Sequence, residues 1–394
     1  MRSKQFELII ACMCTLVLFA GDKSIGGGET PEEKTNSAAK EVYDNDAKLR
    51  LQPAYGLWKR YDPNSAKYAF RAKSVKEARL WQKKVRSALN KVLGFQDEAK
   101  VDPQPRLLEK VNKGDYTREK VLIRTTAYTE MPVYILLPKG APRPVPVVIA
   151  LHGHGYGVKD IVGIRKDGSE RDEPEGYQKD FAVALCRRGF AVAAPEISCF
   201  GERQTDFSYL NKELGQGAPK TCAHTAALAS HLGGSALGLR VLDTKRLVDY
   251  LYSREQMDVS RLGMMGISGG GMLTFFATAL DKRVKACVIS GYFCTFRDSI
   301  FAMGHCSCNY VPGLSRFGDM SDIVGLIAPR PMLVEAGSLD PIFPIESVKA
   351  SVRRAKEVYK VFGAESQTET DYFEGKHQIS GRRAYDFLME KLGK

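Results

Sequence analysis

Residues 264–273, with the sequence MMGISGGGML, place one serine, Ser268, among four glycines with apolar residues on both sides. Gly266 to Gly270 fit the pattern G-x-S-x-G, which is typical of a serine held on a sharp turn between a strand and a helix. The pattern is short and the chain contains 36 glycines, so its meaning depends on the elements around it. The alternative interpretation is a glycine-rich bend that only packs two buried elements together.

The sequence around Ser268 predicts a strand before the turn and a helix after it, from RLGMMGIS (261–268) and GGMLTFFATAL (270–280). Other apolar runs predict further strands: VPVVIAL (145–151), FAVAAPEI (190–197), VKACVISGY (284–292) and PRPMLVEAG (329–337). The more polar TETDYFEG (368–375) is predicted to be the last strand. The predicted helices between them are FAVALCRRG (181–189), LRVLDTKRLVDYLYSR (239–254), VKASVRRAKEVYKVFG (348–363) and RRAYDFLMEKL (382–392). Continuous apolar strands that alternate with helices predict an α/β fold, with a mostly parallel sheet covered by helices on both faces.

The part of the chain before this core predicts a helix and a hairpin. Ser74 and Glu77 form a capping box, and apolar residues recur behind it at helical spacing until Gly94. YTREKVLIRT (116–125) and MPVYILLP (131–138) predict two adjacent strands. We therefore expect one α/β domain over 46–394, made of an N-terminal helical extension (46–104) and a core (105–394).

The N-terminus has the pattern of a targeting segment. Arg2 and Lys4 precede the apolar run LIIACMCTLVLFA (8–20), which has the length of a signal-peptide core and is short for a membrane span. We expect a signal peptide over 1–20, a flexible leader over 21–45, and a secreted or periplasmic protein. A lipoprotein anchor at Cys12, an uncleaved anchor and a cytosolic protein are the alternatives. Beyond the signal peptide the sequence predicts no stable membrane insertion.

The composition is that of a soluble globular protein, with 44% hydrophobic and 26% charged residues among 394. The net charge of +12 comes from basic residues spread along the chain without a nucleic-acid motif, so no nucleic-acid partner is predicted. An acidic polysaccharide is an alternative partner. Nine cysteines are present, and removal of Cys12 and Cys14 with the signal peptide leaves seven whose spacing gives no disulfide framework.

Two short stretches invite a metal interpretation: HCSC at 305–308, with Cys306 and Cys308, and the pair His152 and His154. The ligands of the first stretch are crowded, and no second C-x-x-C or H-x-x-x-H pair completes a tetrahedral set. The two histidines lie two residues apart in a turn without a neighbouring carboxylate. The sequence therefore predicts no metal site and no cofactor.

A serine hydroxyl needs a base, and for a nucleophile on this kind of turn the acid and then the histidine follow it along the chain. His377 in FEGKHQIS lies in a predicted loop between a strand and the last helix. Asp340 in LVEAGSLDPIFP follows a predicted strand and is the expected partner of that histidine. Glu335, inside the strand, and Asp298 are rival acids in less suitable places.

A tetrahedral intermediate needs two amide donors for its oxyanion. The first is expected from Gly269, the residue after the serine. The second is expected from the glycine-rich loop LHGHG (151–155), with the amide of His154 preferred and that of Gly155 as the alternative.

With these residues in place, the chain resembles the α/β-hydrolase superfamily, and within it the acetyl xylan esterase-like and dienelactone-hydrolase-like proteins. The stretches that carry the resemblance are LHGHG, APEISCFGER, GISGGGM, SGYFCTFRDSI, HCSCNYVPGL, DIVGLIAPRPMLVEAGSLDPIFP and EGKHQ, all within residues 145–378. The resemblance implies a serine esterase with Ser268, Asp340 and His377 as its triad and the amides of Gly269 and His154 as its oxyanion hole. It also implies short acyl groups, mainly acetyl, on a polysaccharide ester.

The sequence departs from the patterns of these enzymes at two positions, so their substrates do not transfer directly to this chain. Dienelactone hydrolases use cysteine where this chain has Ser268, and acetyl xylan and cephalosporin deacetylases usually carry glutamine where it has Gly269. A general carboxylesterase, an amidase or peptidase of the same fold, and a non-catalytic binding protein are the alternatives. The polar segment 205–224 argues against the apolar lid of a lipase.

Overall fold

A computed structural model describes residues 45–206 and 221–393 of the chain. The predicted signal peptide, nearly all of the predicted leader and most of the polar segment 205–224 lie outside the described residues. The chain divides into two units, one ending at Leu57 and the other beginning at Trp58. The described part of the first unit consists of helix α1 (Asn45–Arg50) and the first residues of helix α2 (Pro53–Arg60).

A single mixed sheet organises the second unit. Its strands are β1 (Arg106–Asn112), β2 (Tyr116–Arg124), β3 (Glu130–Pro138), β4 (Val145–Leu151), β5 (Ala191–Pro195), β6 (Met257–Ile267), β7 (Ala286–Ser290), β8 (Met332–Gly337) and β9 (Thr368–Phe373). Their spatial order is β1-β2-β3-β5-β4-β6-β7-β8-β9. Strands β4 to β9 pair in parallel. The antiparallel pairs are β1 with β2, β2 with β3, and β3 with β5. The predicted α/β fold class, the apolar strands and the β2–β3 hairpin are confirmed.

The sheet is buried on both faces, which explains why its central strands are apolar throughout. In β4, Val147 and Ile149 pack into the hydrophobic cluster on one face, and Val148 and Ala150 pack into the cluster on the other. Because successive side chains of a strand point to opposite faces, a strand covered on both sides must be apolar at nearly every position.

Helices cover these faces. They are α3 (Val75–Leu93), α4 (Phe181–Arg187), α5 (Thr221–His231), α6 (Ala236–Leu251), α7 (Gly269–Leu280), α8 (Met320–Ile323), α9 (Ile345–Val361) and α10 (Ala384–Leu392). Helix α3 begins at the predicted cap, where Ser74 Oγ accepts a hydrogen bond from the Glu77 amide at 3.3 Å. The Glu77 carboxylate binds the amide of Lys73 at 2.8 Å, one residue before the expected position. The helix buries Val85 and Leu89, so the predicted packing of this helix against the core is observed.

Strand β1 and helix α5 are among the elements that the sequence did not predict. Strand β1 lies at the edge of the sheet and its side chains are almost all exposed, so it has no apolar alternation to reveal it. Helix α5 falls partly in the segment that the sequence analysis treated as a polar loop, and its alanine-rich sequence has little amphipathic character. Within residues 45–206 and 221–393, no helix combines the length and apolarity needed to cross a bilayer.

The parallel strands all end at the same edge of the sheet. The loops at this edge carry His154 after β4, Ser268 after β6, Asp340 after β8 and His377 after β9. Carboxyl ends of parallel strands are where α/β sheets form their sites. The topology therefore gathers residues that are more than 200 positions apart in the sequence.

Candidate active site

Ser268 occupies a strained turn between β6 and α7. Its φ of 57° and ψ of −122° lie outside the regions that residues with side chains normally adopt. Its amide donates to the Ser290 carbonyl on β7 at 3.0 Å, which ties the turn to the neighbouring strand. A Cβ on Gly266 would overlap the carbonyl of Gly270, and one on Gly270 would overlap the carbonyl of Leu151. Close backbone packing therefore requires glycine at both positions.

His377 and Asp340 are in direct contact. The Nδ1 atom of His377 lies 2.7 Å from Asp340 Oδ2, while Asp340 Oδ1 accepts the amides of Ile342 at 2.9 Å and Phe343 at 3.2 Å. The carboxylate is almost completely buried, with 1% of its side chain exposed. A neutral imidazole that donates from Nδ1 to this carboxylate has its lone pair on Nε2.

The Nε2 atom of His377 is buried and has no hydrogen-bond partner among the described residues. The ring is stacked between Tyr177 and Phe343, whose centroids lie 5.6 Å and 5.7 Å from its own. Gly291 lies against the same ring with a φ of +51°, and a Cβ on it would lie only 2.9 Å from His377 Cε1. The imidazole is therefore held from several sides while its acceptor nitrogen stays available.

The two residues predicted to supply amide donors, Gly269 and His154, line the same cavity. Among the described residues, the amides of Gly269 and His154 donate to no acceptor. The His154 carbonyl accepts from the Tyr177 hydroxyl at 2.6 Å, and burial raises the pKa of Tyr177, so the phenol remains a donor. The amide of Gly153, one residue earlier, is already bound by Gln178 Oε1 at 2.7 Å.

The loop after β4 is fixed by a buried polar network. Gln178 Nε2 donates to Asp160 Oδ2 at 2.6 Å, and that carboxylate also lies beneath Gly155, the alternative amide donor. Arg171 binds both Asp160 and Asp180. These contacts hold the glycine-rich loop in place beside Ser268.

The two rival acids serve other partners. Glu335 is fully buried and accepts hydrogen bonds from the Ser290 hydroxyl at 2.7 Å and from the amides of Ser380 and Gly381 at 2.8 and 3.0 Å. Asp298 accepts from the hydroxyls of Thr295 and Ser347. Neither carboxylate is hydrogen-bonded to His377 in the described part of the chain, and Glu335 instead anchors the loop that follows this histidine.

Ser268 and His377 lie at the wall of a cavity of about 300 Å³. It is lined by His154, Tyr177, Ser268, Gly269, Tyr292, Gly304, His305, Cys306, Asn309, Ile342, Phe343 and His377. Asp340 stands behind His377, outside the lining. The structure thus brings together the residues predicted as a triad and its two amide donors: Ser268, His377, Asp340, Gly269 and His154.

The sequence matches a known protein family, and the fold agrees with that match. Residues 42–385 match the model of the abhydrolase family, and this range covers most of the chain. The chain belongs to the abhydrolase family. The sheet order and the helices on both faces are those of an α/β-hydrolase, so the resemblance found in the sequence is confirmed.

Known proteins similar to this abhydrolase are hydrolases and esterases by name. YtaP of Bacillus subtilis, which is named as a hydrolase, is 30% identical over 256 residues, 62% of this chain and 77% of YtaP. A Bacteroides fragilis structure named as an acetyl xylan esterase matches with a TM-score of 0.66 and 18% identity, over 84% of this chain and 87% of that chain. A glucuronoyl esterase from Solibacter usitatus matches with a TM-score of 0.59 and 17% identity, over 84% of this chain and all of that chain. At these identities the two structures establish the fold.

Several residues around the cavity of this abhydrolase were missed by the sequence analysis. Tyr177 and Phe343 are single aromatic residues in loops, and Gly291 is one glycine among many, so none carries a local pattern. Tyr156 and Glu196 do not line the cavity: Tyr156 donates to the Ile164 carbonyl and Glu196 accepts the Val158 amide.

Glu202 and Arg203 form ion pairs with residues outside the cavity. Glu202 pairs with Lys120 and Arg203 with Asp243.

The sequence offers no second C-x-x-C or H-x-x-x-H pair beside Cys306 and Cys308, but two more potential ligands reach them from other segments. The fold brings His154 and Cys222 to these cysteines, and the four donor atoms all lie within 4.8 Å of one another. Burial lowers the pKa of His154, but hydrogen bonds to Cys306 and Cys308 outweigh it and raise this pKa to about 9. Spacing along the sequence could not reveal the set because its members come from three separate segments.

Proposed function

We propose that this abhydrolase is a serine hydrolase that cleaves carboxylic esters, with Ser268 as nucleophile, His377 as general base and Asp340 as the residue that orients the histidine. One observation carries the proposal. His377 binds Asp340 through Nδ1 and keeps an unpartnered Nε2 inside the cavity that Ser268 lines. A base with a free lone pair beside a strained serine is the arrangement that activates a hydroxyl.

In the first step His377 Nε2 takes the hydroxyl proton while Ser268 Oγ attacks the ester carbonyl. The buried Asp340 carboxylate stabilises the imidazolium that forms, because both partners are shielded from water. The histidine then gives this proton to the departing alkoxide, which leaves as the alcohol. The acyl group remains on Ser268 as an ester.

The carbonyl oxygen becomes negatively charged in the tetrahedral intermediate. We assign its two donors to the amides of Gly269 and His154, which have no acceptor of their own among the described residues. Such a donor stabilises the transition state by about 3 kcal/mol. Gly269 also begins helix α7, whose N-terminus favours negative charge.

In the second step water replaces the alcohol. His377 takes a proton from the water, the resulting hydroxide attacks the acyl carbonyl, and Ser268 leaves with the proton from His377. The carboxylic acid is released and the enzyme returns to its initial state. Every proton in this cycle passes through Nε2 of one histidine, so this atom must keep its lone pair available to Ser268 and to the attacking water.

We further propose that the acyl group is short, mainly acetyl, and that the alcohol belongs to a carbohydrate. A cavity of about 300 Å³ is at the small end for ligand sites. Asn309 also lines a neighbouring cavity of about 310 Å³ with the aromatic residues Tyr61, Phe301 and Tyr310, which could accommodate the rest of a larger alcohol. The names of the structural relatives support the same substrate class.

A secreted or periplasmic location is part of the same proposal, since polysaccharides are met outside the cytoplasm. It rests on the apolar segment 8–20, which lies outside the described residues. Sequencing the N-terminus of the exported protein tests it: we expect a new terminus close to residue 21, and an intact N-terminus in the cytosolic fraction contradicts it.

The proposed activity is tested by hydrolysis of p-nitrophenyl acetate, butyrate and octanoate beside acetylated xylan. Ser268→Ala should lose on the order of 10⁶-fold in kcat. Ser260→Ala, which changes an exposed serine of the same strand, is the matched control and should be unaffected. Acetate-selective activity with release of acetate from the polymer supports the carbohydrate substrate. Rates that rise with chain length support a general carboxylesterase instead, and serine-independent rates contradict the mechanism.

A further inference from the structure

Beside the candidate active site, four side chains with metal-binding atoms converge from three segments. They are His154 from the loop after β4, Cys222 from the first turn of α5, and Cys306 and Cys308 from the loop between β7 and β8. The Sγ atom of Cys308 lies 4.0 Å from His154 Nε2, and all four donors lie within 4.8 Å of one another. Cys222 and Cys308 are buried, and the other two residues are partly buried.

We propose that these four residues bind one Zn²⁺ ion in a tetrahedral Cys₃His site. Zinc is bound by thiolate sulfur at about 2.3 Å, so the donors of a tetrahedral site are separated by about 3.8 Å. The observed separations exceed this value by an ångström or less, so small side-chain movements would close the site. Three sulfur donors and one imidazole are a set that selects zinc over magnesium or calcium, which prefer oxygen.

The buried positive charge of Arg240 beside these cysteines is a second, independent indication of a metal site. Arg240 is buried, with 1% of its surface exposed, and makes no ion pair with a carboxylate in the part of the chain that the structure describes. Its guanidinium instead donates to Cys222 Sγ at 3.3 Å and to the Ser198 carbonyl at 3.1 Å.

A buried cation normally requires an anionic partner. Three thiolates, one neutral imidazole and one divalent ion carry a net charge of −1, which the guanidinium of Arg240 balances.

The turn that carries Cys306 and Cys308 is held by a hydrogen bond from a neighbouring side chain, as is usual for the ligands of a metal site. Asn309 Nδ2 lies 4.0 Å from Cys308 Sγ and donates to the Cys306 carbonyl at 3.1 Å, closing the turn that carries both cysteines. Outer partners of this kind orient the ligands of metal sites. Binding through Nε2 would fix the proton of His154 on Nδ1, the nitrogen that faces Gly269.

The site would form one wall of the active-site cavity, since His154 and Cys306 line it. It would tie helix α5 and the 304–309 turn to the loop that carries the His154 amide. The ion has no place in the ester chemistry proposed above, so the zinc site and the esterase function stand or fall separately.

The experiment is to measure zinc by mass spectrometry of the full chain, produced in zinc-supplemented medium and desalted under reducing conditions. We expect about one ion per chain. Cys222→Ser and Cys308→Ser should reduce the content at least about tenfold. Cys199→Ser is the matched control, because Cys199 contacts Cys222 but is not among the four donors, and it should keep the ion.

Replacement of zinc by Co²⁺ gives a readout that does not depend on any variant folding. We expect the intense visible absorption of tetrahedral cobalt with thiolate charge-transfer bands. Metal-free wild type that acquires no such spectrum, equal zinc in all three variants, or a disulfide joining any two of Cys222, Cys306 and Cys308 in the freshly isolated protein would overturn the proposal.

Discussion

Gly291 offers a sharp test of how the imidazole of His377 is positioned. Its φ of +51° is one that alanine adopts at a strain of about 1–2 kcal/mol. A Cβ there would also lie 2.9 Å from Cε1 and 3.1 Å from Nδ1 of His377, where carbon contacts normally begin at about 3.5 Å. The ring must therefore move by roughly half an ångström or more, against Tyr177 and Phe343, which enclose it.

Displacement of a reacting group by about 1 Å lowers rates by about 100-fold. We therefore expect Gly291→Ala to lower kcat/KM for p-nitrophenyl acetate by about 10- to 100-fold. Its free energy of unfolding in urea should fall by about 1–2 kcal/mol. Gly363→Ala is the matched control, since Gly363 has a φ of +67° and open space around the added Cβ. It should lose similar stability and keep full activity. Wild-type kcat/KM in Gly291→Ala, or an equal loss of activity in Gly363→Ala, would refute the reasoning.

Three further predictions concern stability, measured by urea denaturation. Glu335→Gln places an amide donor against the Gly381 amide, so we expect the free energy of unfolding to fall by about 1–3 kcal/mol. We also expect a lower kcat, because Glu335 anchors the loop that follows His377. Unchanged stability and kcat would contradict this role. Burial raises the pKa of Asp319 from 3.8 to about 6. Between about pH 4 and pH 6 the native state therefore keeps a proton that the unfolded state has lost, and the free energy of unfolding falls as pH rises through this window. Asp319→Asn should therefore gain up to about 3 kcal/mol relative to wild type between about pH 4 and pH 6, and a constant difference would contradict the burial argument. Leu89→Ala should lower the free energy of unfolding by about 2–5 kcal/mol, because Leu89 is buried. Leu80→Ala, at an exposed position of the same helix, should change it by less than about 0.5 kcal/mol. Similar losses in both variants would show that α3 does not pack as described.

The sequence predicts the sheet well because its burial leaves a direct trace. A strand covered on both faces, such as β4, is apolar at nearly every position, and a helix such as α3 carries its cap and apolar stripe in consecutive residues. The edge strand β1 and the alanine-rich helix α5 have no such trace, since β1 buries little and α5 lacks an amphipathic face.

The candidate site could be predicted where chemistry restricts residue type and order. Ser268 is marked by its glycines, and His377 by its place after the last predicted strand. The residues that hold them are different: Tyr177 and Phe343 enclose the imidazole only because the topology brings two distant loops to one sheet edge. The same holds for His154 and Cys222, whose approach to Cys306 and Cys308 no spacing rule could anticipate.

The central claim is that Ser268 is a nucleophile activated by His377. The most direct measurement is covalent labelling with a fluorophosphonate, followed by mass spectrometry of the intact chain and its peptides. The account predicts one adduct per chain on Ser268, no adduct in Ser268→Ala, and greatly slowed labelling in His377→Ala. A folded protein that takes up no label, or carries it on another residue, would contradict the account.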